Sequence, residues 1–146
     1  MDRLEIGVMP YYIEDGELQL VLVTTRGGKR WIFPKGNPEP GMSHVDVASM
    51  EAFEEAGVIG RIDKKGRKTV RMKRDGQSVV LLIYPMEVHQ VLDEWPEMHQ
   101  RTRSVVTPAV AEDLINNKKL VHRMKRLLKT VAWHYRSSGS PTVVTK

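Results

Sequence analysis

The sequence predicts a single mixed α/β (α+β) domain, and three observations carry that expectation. Short apolar, β-branched runs separated by turn signals recur between Leu4 and Val88. Two segments, Ser43 to Ala56 and Lys118 onward, show helical rather than alternating spacing. The length of 146 residues suits one substantial core and leaves little material for a second.

Leu4 to Ile13 and Glu17 to Thr25 flank Glu14-Asp15-Gly16, and an Asp-Gly pair between two β-rich runs is a tight-turn signal, so they form a hairpin. Trp31-Ile32-Phe33 reads as a short strand that breaks into Pro34-Lys35-Gly36-Asn37-Pro38-Glu39-Pro40-Gly41. Three prolines and two glycines in those eight residues predict a shaped loop without regular structure. Ser43 is a good N-cap, Asp46 follows three residues later as an acidic partner, and no Pro or Gly interrupts the segment before Gly57, which suits the left-handed position after a helix.

A strand is expected at Val58 to Ile62, then a basic hairpin around Lys65-Gly66 and Asp75-Gly76. Ser78 to Val88, nearly all apolar, reads as a strand buried on both faces at the centre of the sheet. Thr107-Pro108 caps and opens a short helix to about Ile115. In the final helix Leu120, Met124, Leu127, Leu128, Val131 and Tyr135 mark one apolar stripe, expected to pack on the sheet. Residues 1–136 are thus one domain, and the small polar residues 137–146 read as a flexible C-terminal tail.

Composition excludes several classes of function. Hydrophobic residues make up 40% and charged residues 28%, as in ordinary globular chains. There is no cysteine, so any metal must be held by oxygen or imidazole ligands, which favours Mg2+ or Mn2+. The beginning of the chain lacks the apolar run of a secretory signal and no stretch has the length of a membrane span, so a cytoplasmic address and no membrane partner are expected. The net charge of +5 is concentrated between Arg61 and Arg74 and between Lys118 and Arg136. Such clusters attract polyanions. Nucleic acid is not the favoured partner, because only 6% of residues are aromatic and no strand is rich enough in them to stack bases. No dimer seam is legible.

The chemistry is concentrated between Gly36 and Val58. At ~100° per residue, Glu51, Glu54 and Glu55 fall at i, i+3 and i+4, so three carboxylates share one helical face. Val45, Ala52 and Ala56 lie on an adjacent face that can meet the sheet. Like charges at this spacing repel, and no lysine on the helix relieves them. A divalent cation would. Carboxylates in an oxygen-only site suit Mg2+, which keeps several waters and shares its shell with substrate phosphates. The Pro34 to Gly41 loop, through Gly36, is expected to contribute a backbone group to that metal.

Gly36, Glu51, Glu54, Glu55, Gly57 and Val58 stand at the spacing of the Nudix box, and Trp31-Ile32-Phe33-Pro34-Lys35-Gly36 is similar to the strand and loop that lead into it. This resemblance implies an α/β/α sandwich around a mixed sheet. It also implies Mg2+-dependent hydrolysis of a phosphoanhydride in a nucleoside diphosphate derivative, a dinucleoside polyphosphate or an inositol pyrophosphate. Glu51, Glu54 and Glu55 match the family's metal-binding and base positions. Two positions depart from the box: Met42 stands where the family has its first glutamate, and Met50 where it has an arginine that orients the next glutamate. Loss of that charge-assisted hydrogen bond is worth roughly 1.5 to 3 kcal/mol. Glu39 and His44 are candidates to compensate.

Outside the box the chain resembles the branch of diphosphoinositol polyphosphate and diadenosine polyphosphate hydrolases. Leu92-Asp93-Glu94-Trp95-Pro96-Glu97 followed by Arg101-Thr102-Arg103 carries this likeness. It implies Glu94 or Glu97 as a further ligand or base, and Arg101 and Arg103 as phosphate contacts, for which the guanidinium fork is suited. Lys35 and Lys29 are additional phosphate candidates near the loop, and Trp31 is expected to pack rather than to stack on a base. The expected partner is a phosphorylated small-molecule substrate. The rival reading is a weakened Nudix module that binds a phosphorylated ligand, RNA or a protein without hydrolysis, and Met42 and Met50 motivate it.

Overall fold

The computed structural model of the protein describes residues 2–138, with side chains described up to residue 132. Of the tail expected at 137–146, residues 139–146 lie outside the described residues, as does the side chain of Tyr135. The elements in order are β1 (Arg3–Glu14), β2 (Glu17–Thr24), β3 (Trp31–Ile32), β4 (Lys35–Gly36), α1 (His44–Ala56), β5 (Val58–Ile62), β6 (Lys68–Arg74), β7 (Gln77–Val91), β8 (Arg103–Val106), α2 (Pro108–Leu114) and α3 (Lys118–Ser138).

The predicted hairpin turns at Asp15 and Gly16, both at positive φ, which matches the twist of the flanking strands. β7 runs through the middle of the sheet. It pairs in parallel with β1 from Arg3↔Val79 to Tyr11↔Glu87, and antiparallel with β5 and β6. The one parallel pairing among antiparallel ones makes the sheet mixed, and it explains why β7 lacks clean alternation of apolar and polar residues: it is covered on both faces.

α1 lies on one face, where Val47, Ala48, Ala52 and Ala56 meet Ile6, Val8, Val21 and Tyr84. α2 and α3 cover the other, where Leu120, Met124, Leu127 and Val131 pack against Met9, Leu22, Val70 and Ile83. Each such side chain contributes about 2 kcal/mol on burial, so the stripe of α3 is committed to the sheet. The result is a three-layer α/β/α sandwich. Among the described residues no helix is long and apolar enough to cross a membrane.

Two departures from expectation matter for the site. The Pro- and Gly-rich loop is not wholly irregular: Lys35 and Gly36 pair with Gly7 and Ile6 on β1. Its prolines flank these two positions without occupying them, and Pro34 O instead accepts the amide of Val8 at 3.0 Å. The second is β8, which joins β2 from Leu20↔Val106 to Val23↔Arg103. Four residues are too few for a periodic signal, and only pairing with a distant strand defines them.

Candidate active site

Both ends of α1 are fastened as its sequence demands. Ser43 accepts the amide of Asp46 at 3.1 Å, and Gly57 at φ 64° returns its amide to the carbonyls of Ala52 and Phe53. Gly57 is also required sterically, because a Cβ there would meet the ring of Trp95 at 2.8 Å. Trp95 donates its indole N–H to Glu55 O at 3.0 Å, and the amide of Glu97 donates to Glu54 O at 3.0 Å. The segment after β7 is thereby laid against the last turn of α1, and a second acidic stretch is carried to the first.

Glu55 is 4% exposed. Its Oε1 accepts the backbone amide of Lys35 at 3.2 Å and its Oε2 lies 3.5 Å from Arg101 Nη2. Burial raises its pKa, against the opposing effect of a hydrogen bond from Glu51 and of Arg101. Glu51, one turn earlier, is pushed up to about 8 by burial first, then by its hydrogen bond to Glu55 and the charges of Glu55, Glu54 and Glu97. Two neighbouring carboxyls that cannot both ionise cheaply share a proton. Gly36 makes the approach of Glu51 feasible, since a Cβ at that position would overlap the Glu51 carboxylate. The structure therefore brings together Glu51, Glu55, Gly36 and the backbone of Lys35, with Glu54 half-buried at the adjoining position.

This donor set fits a hard divalent cation. The side-chain donors are carboxylate oxygens, the pair is under-compensated by positive charge, and an ion between them would relieve the repulsion that helps to raise both pKa values. Among the described residues no three His, Asp or Glu side chains close into a cage. The protein thus offers part of a shell rather than a complete one.

Arg101 and Arg103 were expected to reach phosphates, and both are engaged inside the protein. Arg101 is 11% exposed; Nε lies 2.9 Å from Glu97 Oε1, Nη1 donates to Thr24 O at 3.1 Å, and Nη2 faces Glu55. Arg103 Nη1 donates to Ala56 O and Leu92 O at 2.9 and 2.8 Å, with its guanidinium 3.9 Å above the Trp95 ring. It ties the end of α1 to the segment after β7. Glu97 joins the cluster, while Glu94 is exposed. His44, the first residue of α1, and Glu39, exposed in the loop, take no part in the hydrogen bonds and ion pairs of the cluster.

Sequence reasoning missed Glu5. This carboxylate on β1 is 1% exposed, and its Oε2 receives Arg3 Nη2 at 2.7 Å, Lys35 Nζ at 3.1 Å and Arg74 Nη1 at 2.6 Å. Burial raises its pKa, but Arg74 and Lys35 outweigh that and hold it at about 2. The one available signal was a lone charge between Leu4 and Ile6 in an apolar strand.

A cleft of about 410 Å3 joins these groups, with Glu5, Arg3, Lys35, Gly36, Glu55 and Arg101 in its walls. A second cavity, about 290 Å3, lies on the α2 and α3 side between Trp31, Phe33, Met72 and Leu81, with Lys29 and Arg74 also lining it. Lys35 belongs to both. Trp31 also packs against the core, as expected.

The model of the NUDIX domain family matches residues 2–131. The chain is 33% identical over 109 residues to "Nudix hydrolase 18, mitochondrial" of Arabidopsis thaliana, covering 69% of this chain and 62% of that protein. It is 28% identical over 78 residues to diphosphoinositol polyphosphate phosphohydrolase 2 of Rattus norvegicus, covering 53% of this chain and 42% of that one. The chain thus spans about three-fifths of the length of the first relative and less of the second. Among solved structures, an Ap4A hydrolase of C. elegans in a binary complex superposes with TM-score 0.76 at 15% identity, covering 89% of this chain and 98% of that one. That likeness is one of fold.

Proposed function

The chain belongs to the NUDIX domain family, whose members are generally metal-dependent pyrophosphohydrolases, and from that premise we propose that it hydrolyses a phosphoanhydride in a phosphorylated small molecule. The observation that carries this reading is the Glu51 and Glu55 carboxyl pair, crowded against Gly36 and opening through Glu55 onto a cleft lined with cations. Substrates in view are a nucleoside diphosphate derivative, a dinucleoside polyphosphate and an inositol pyrophosphate.

Glu51 and Glu55, with Glu54 beside them and the backbone at Gly36, would hold Mg2+ or Mn2+. When bound, such an ion polarises a phosphoryl oxygen and acidifies a water molecule. Lys35, which lines the cleft, neutralises charge that grows on the phosphate oxygens. Among the described residues the ion pairs of Glu97 run through Oε1, which leaves Oε2 to accept the proton of an attacking water. Arg101 and Arg103 act on the site indirectly: Arg101 holds Glu97 and Glu55 in register, and Arg103 holds the backbone at Ala56 and Leu92.

The rival, binding without hydrolysis, draws on Met50, which leaves Glu51 without its family arginine. The guanidinium of Arg101 beside Glu55 weighs against it, because positive charge reaches the acidic cluster from another part of the chain. The test is turnover of a panel of diphosphate-containing substrates in Mg2+ by wild type and Glu55→Gln. Hydrolysis that falls by about a thousandfold or more in the variant supports the proposal. Retained ligand binding with no wild-type hydrolysis would transfer support to the rival.

A further inference from the structure

We propose that the groove between β6 and α3 is a docking site for an extended acidic segment of a partner protein, which adds as a strand to the outer edge of β6. The groove shares no residue with the cleft of the carboxyl pair, so the inference stands apart from the hydrolase reading.

Two basic clusters far apart in the sequence meet in this groove. It encloses about 550 Å3, with residues 69–71 of β6 along one wall and Lys118, Lys119, His122 and Arg123 of α3 along the other. Among the described residues Lys118, Lys119 and Arg123 make no ion pair, whereas Lys125, outside the groove, is matched by Glu112 at 2.9 Å. Arg71 meets Asp2 at 3.6 Å, but the two side chains are 72% and 50% exposed, and water screens such a pair. Lys119 and Arg123 also repel one another at i, i+4 spacing. The fold thus gathers positive charge along the groove and leaves most of it unmatched.

The strand edge distinguishes this face from an ordinary solvated one. β6 pairs with β7 from Lys68↔Ile83 to Arg74↔Gln77, and among the described residues no strand takes its other edge. The outward N–H and C=O groups of an edge strand can pair with an incoming chain, and a groove flanked by such a strand and a helix suits strand addition. Arg71 and Lys73 stand exposed on β6. Their charge repels a second copy of the same strand and attracts a strand that carries carboxylates. Backbone pairing holds the partner, and charge selects it.

Other polyanions fit this surface less well. The apolar stripe of α3 is packed on the sheet, which leaves no apolar face to enter a membrane. Among the described residues no aromatic side chain lines the groove to stack a base, and a sugar-phosphate chain has few donors for the carbonyls of β6. β6 spans seven residues, so an extended segment of about eight, at ~3.3 Å per residue, covers it.

The test is fluorescence anisotropy on the whole chain with a labelled peptide of about ten residues that alternates glutamate with valine, which puts its carboxylates on one face. Wild type should bind it saturably. The double variant Lys119→Glu, Arg123→Glu, altered only at the surface, should bind about tenfold or more weakly, the scale of two exposed attractions turned repulsive, with Tm and hydrolysis unchanged. A fully N-methylated copy of the peptide, with the same carboxylates and no N–H to donate, should lose at least as much. No saturation up to about 1 mM, or equal binding by the charge-reversed variant, would overturn the inference. Equal binding of the N-methylated copy would reduce the groove to a non-specific cation patch and overturn strand addition. Single-stranded RNA or phosphatidylserine vesicles that bind wild type more tightly than the peptide does, and lose that binding in the double variant, would reassign the surface to nucleic acid or membrane.

Discussion

Replacing Arg101 with methionine tests the interior role of this side chain, which the sequence alone assigns to substrate. The guanidinium is 11% exposed, lies 2.9 Å from Glu97 and 3.5 Å from Glu55, and donates to Thr24 O at 3.1 Å. Methionine fills much of the volume without the charge, leaving Glu97 with Arg26, 68% exposed and 3.7 Å away, and leaving Glu55 without an ion-pair partner within 4 Å among the described residues. Removing one partner of a buried pair costs about 3 kcal/mol when the other must stay ionised, which for a chain of this size lowers Tm by about 10 °C.

The loss should depend on pH with a definite sign. Glu55 already has a raised pKa, and Arg101 is among the groups that oppose the rise, so its removal drives the pKa higher. A carboxyl whose folded pKa exceeds its unfolded value costs nothing below the unfolded value and destabilises progressively as pH rises through the interval. Thermal unfolding of metal-free protein should therefore show the large deficit near pH 8 and a smaller one, about 1 kcal/mol, at acidic pH, where the Glu55 charge no longer needs compensation and the hydrogen bonds alone are missed. A change in Tm below about 2 °C at both pH values would refute the reasoning and return Arg101 to the role of a phosphate contact in the cleft.

Two further predictions concern the carboxyl pair. Glu51 is held at about 8 against an ordinary 4.5, so metal-free wild type should lose stability as pH rises between those values while Glu51→Gln loses less, keeping only the contribution of buried Glu55; at pH 9 the variant should be the more stable by on the order of 2 kcal/mol, after discounting for solvent and for the proton shared with Glu55. Denaturant titrations across that range check it, and parallel pH slopes for the two proteins would count against the shared proton. Gly36→Ala puts a Cβ into the Glu51 carboxylate, and a displacement of about an ångström costs on the order of 100-fold in turnover. Steady-state kinetics with Tm measured alongside would show it, whereas activity within about twofold of wild type would mean that the close approach is not used.

Local signals were enough for much of the fold. Asp15-Gly16 set the hairpin, Ser43 and Gly57 bounded α1 to the residue, Thr107-Pro108 opened α2, and the stripe from Leu120 to Val131 chose the buried side of α3. Each depends on neighbours within a turn or two. β4 and β8 were missed because two or four residues carry no period, and their pairing partners lie far along the chain.

The candidate site divides in the same way. Helical spacing put Glu51, Glu54 and Glu55 on one face, and the composition without cysteine pointed to oxygen ligands and a hard cation. Those features are short-range or compositional, so the order of residues determines them. The partners of Arg101, the staple made by Arg103 and Trp95, and the gathering of Arg3, Lys35 and Arg74 on Glu5 were decided only by the tertiary structure. Arg101 meets Thr24 and Arg74 meets Glu5 across 77 and 69 residues. Over such separations a side chain's partner is set by how the layers of the sandwich stack, since a charge follows whichever counter-charge packing brings within a few ångströms of it.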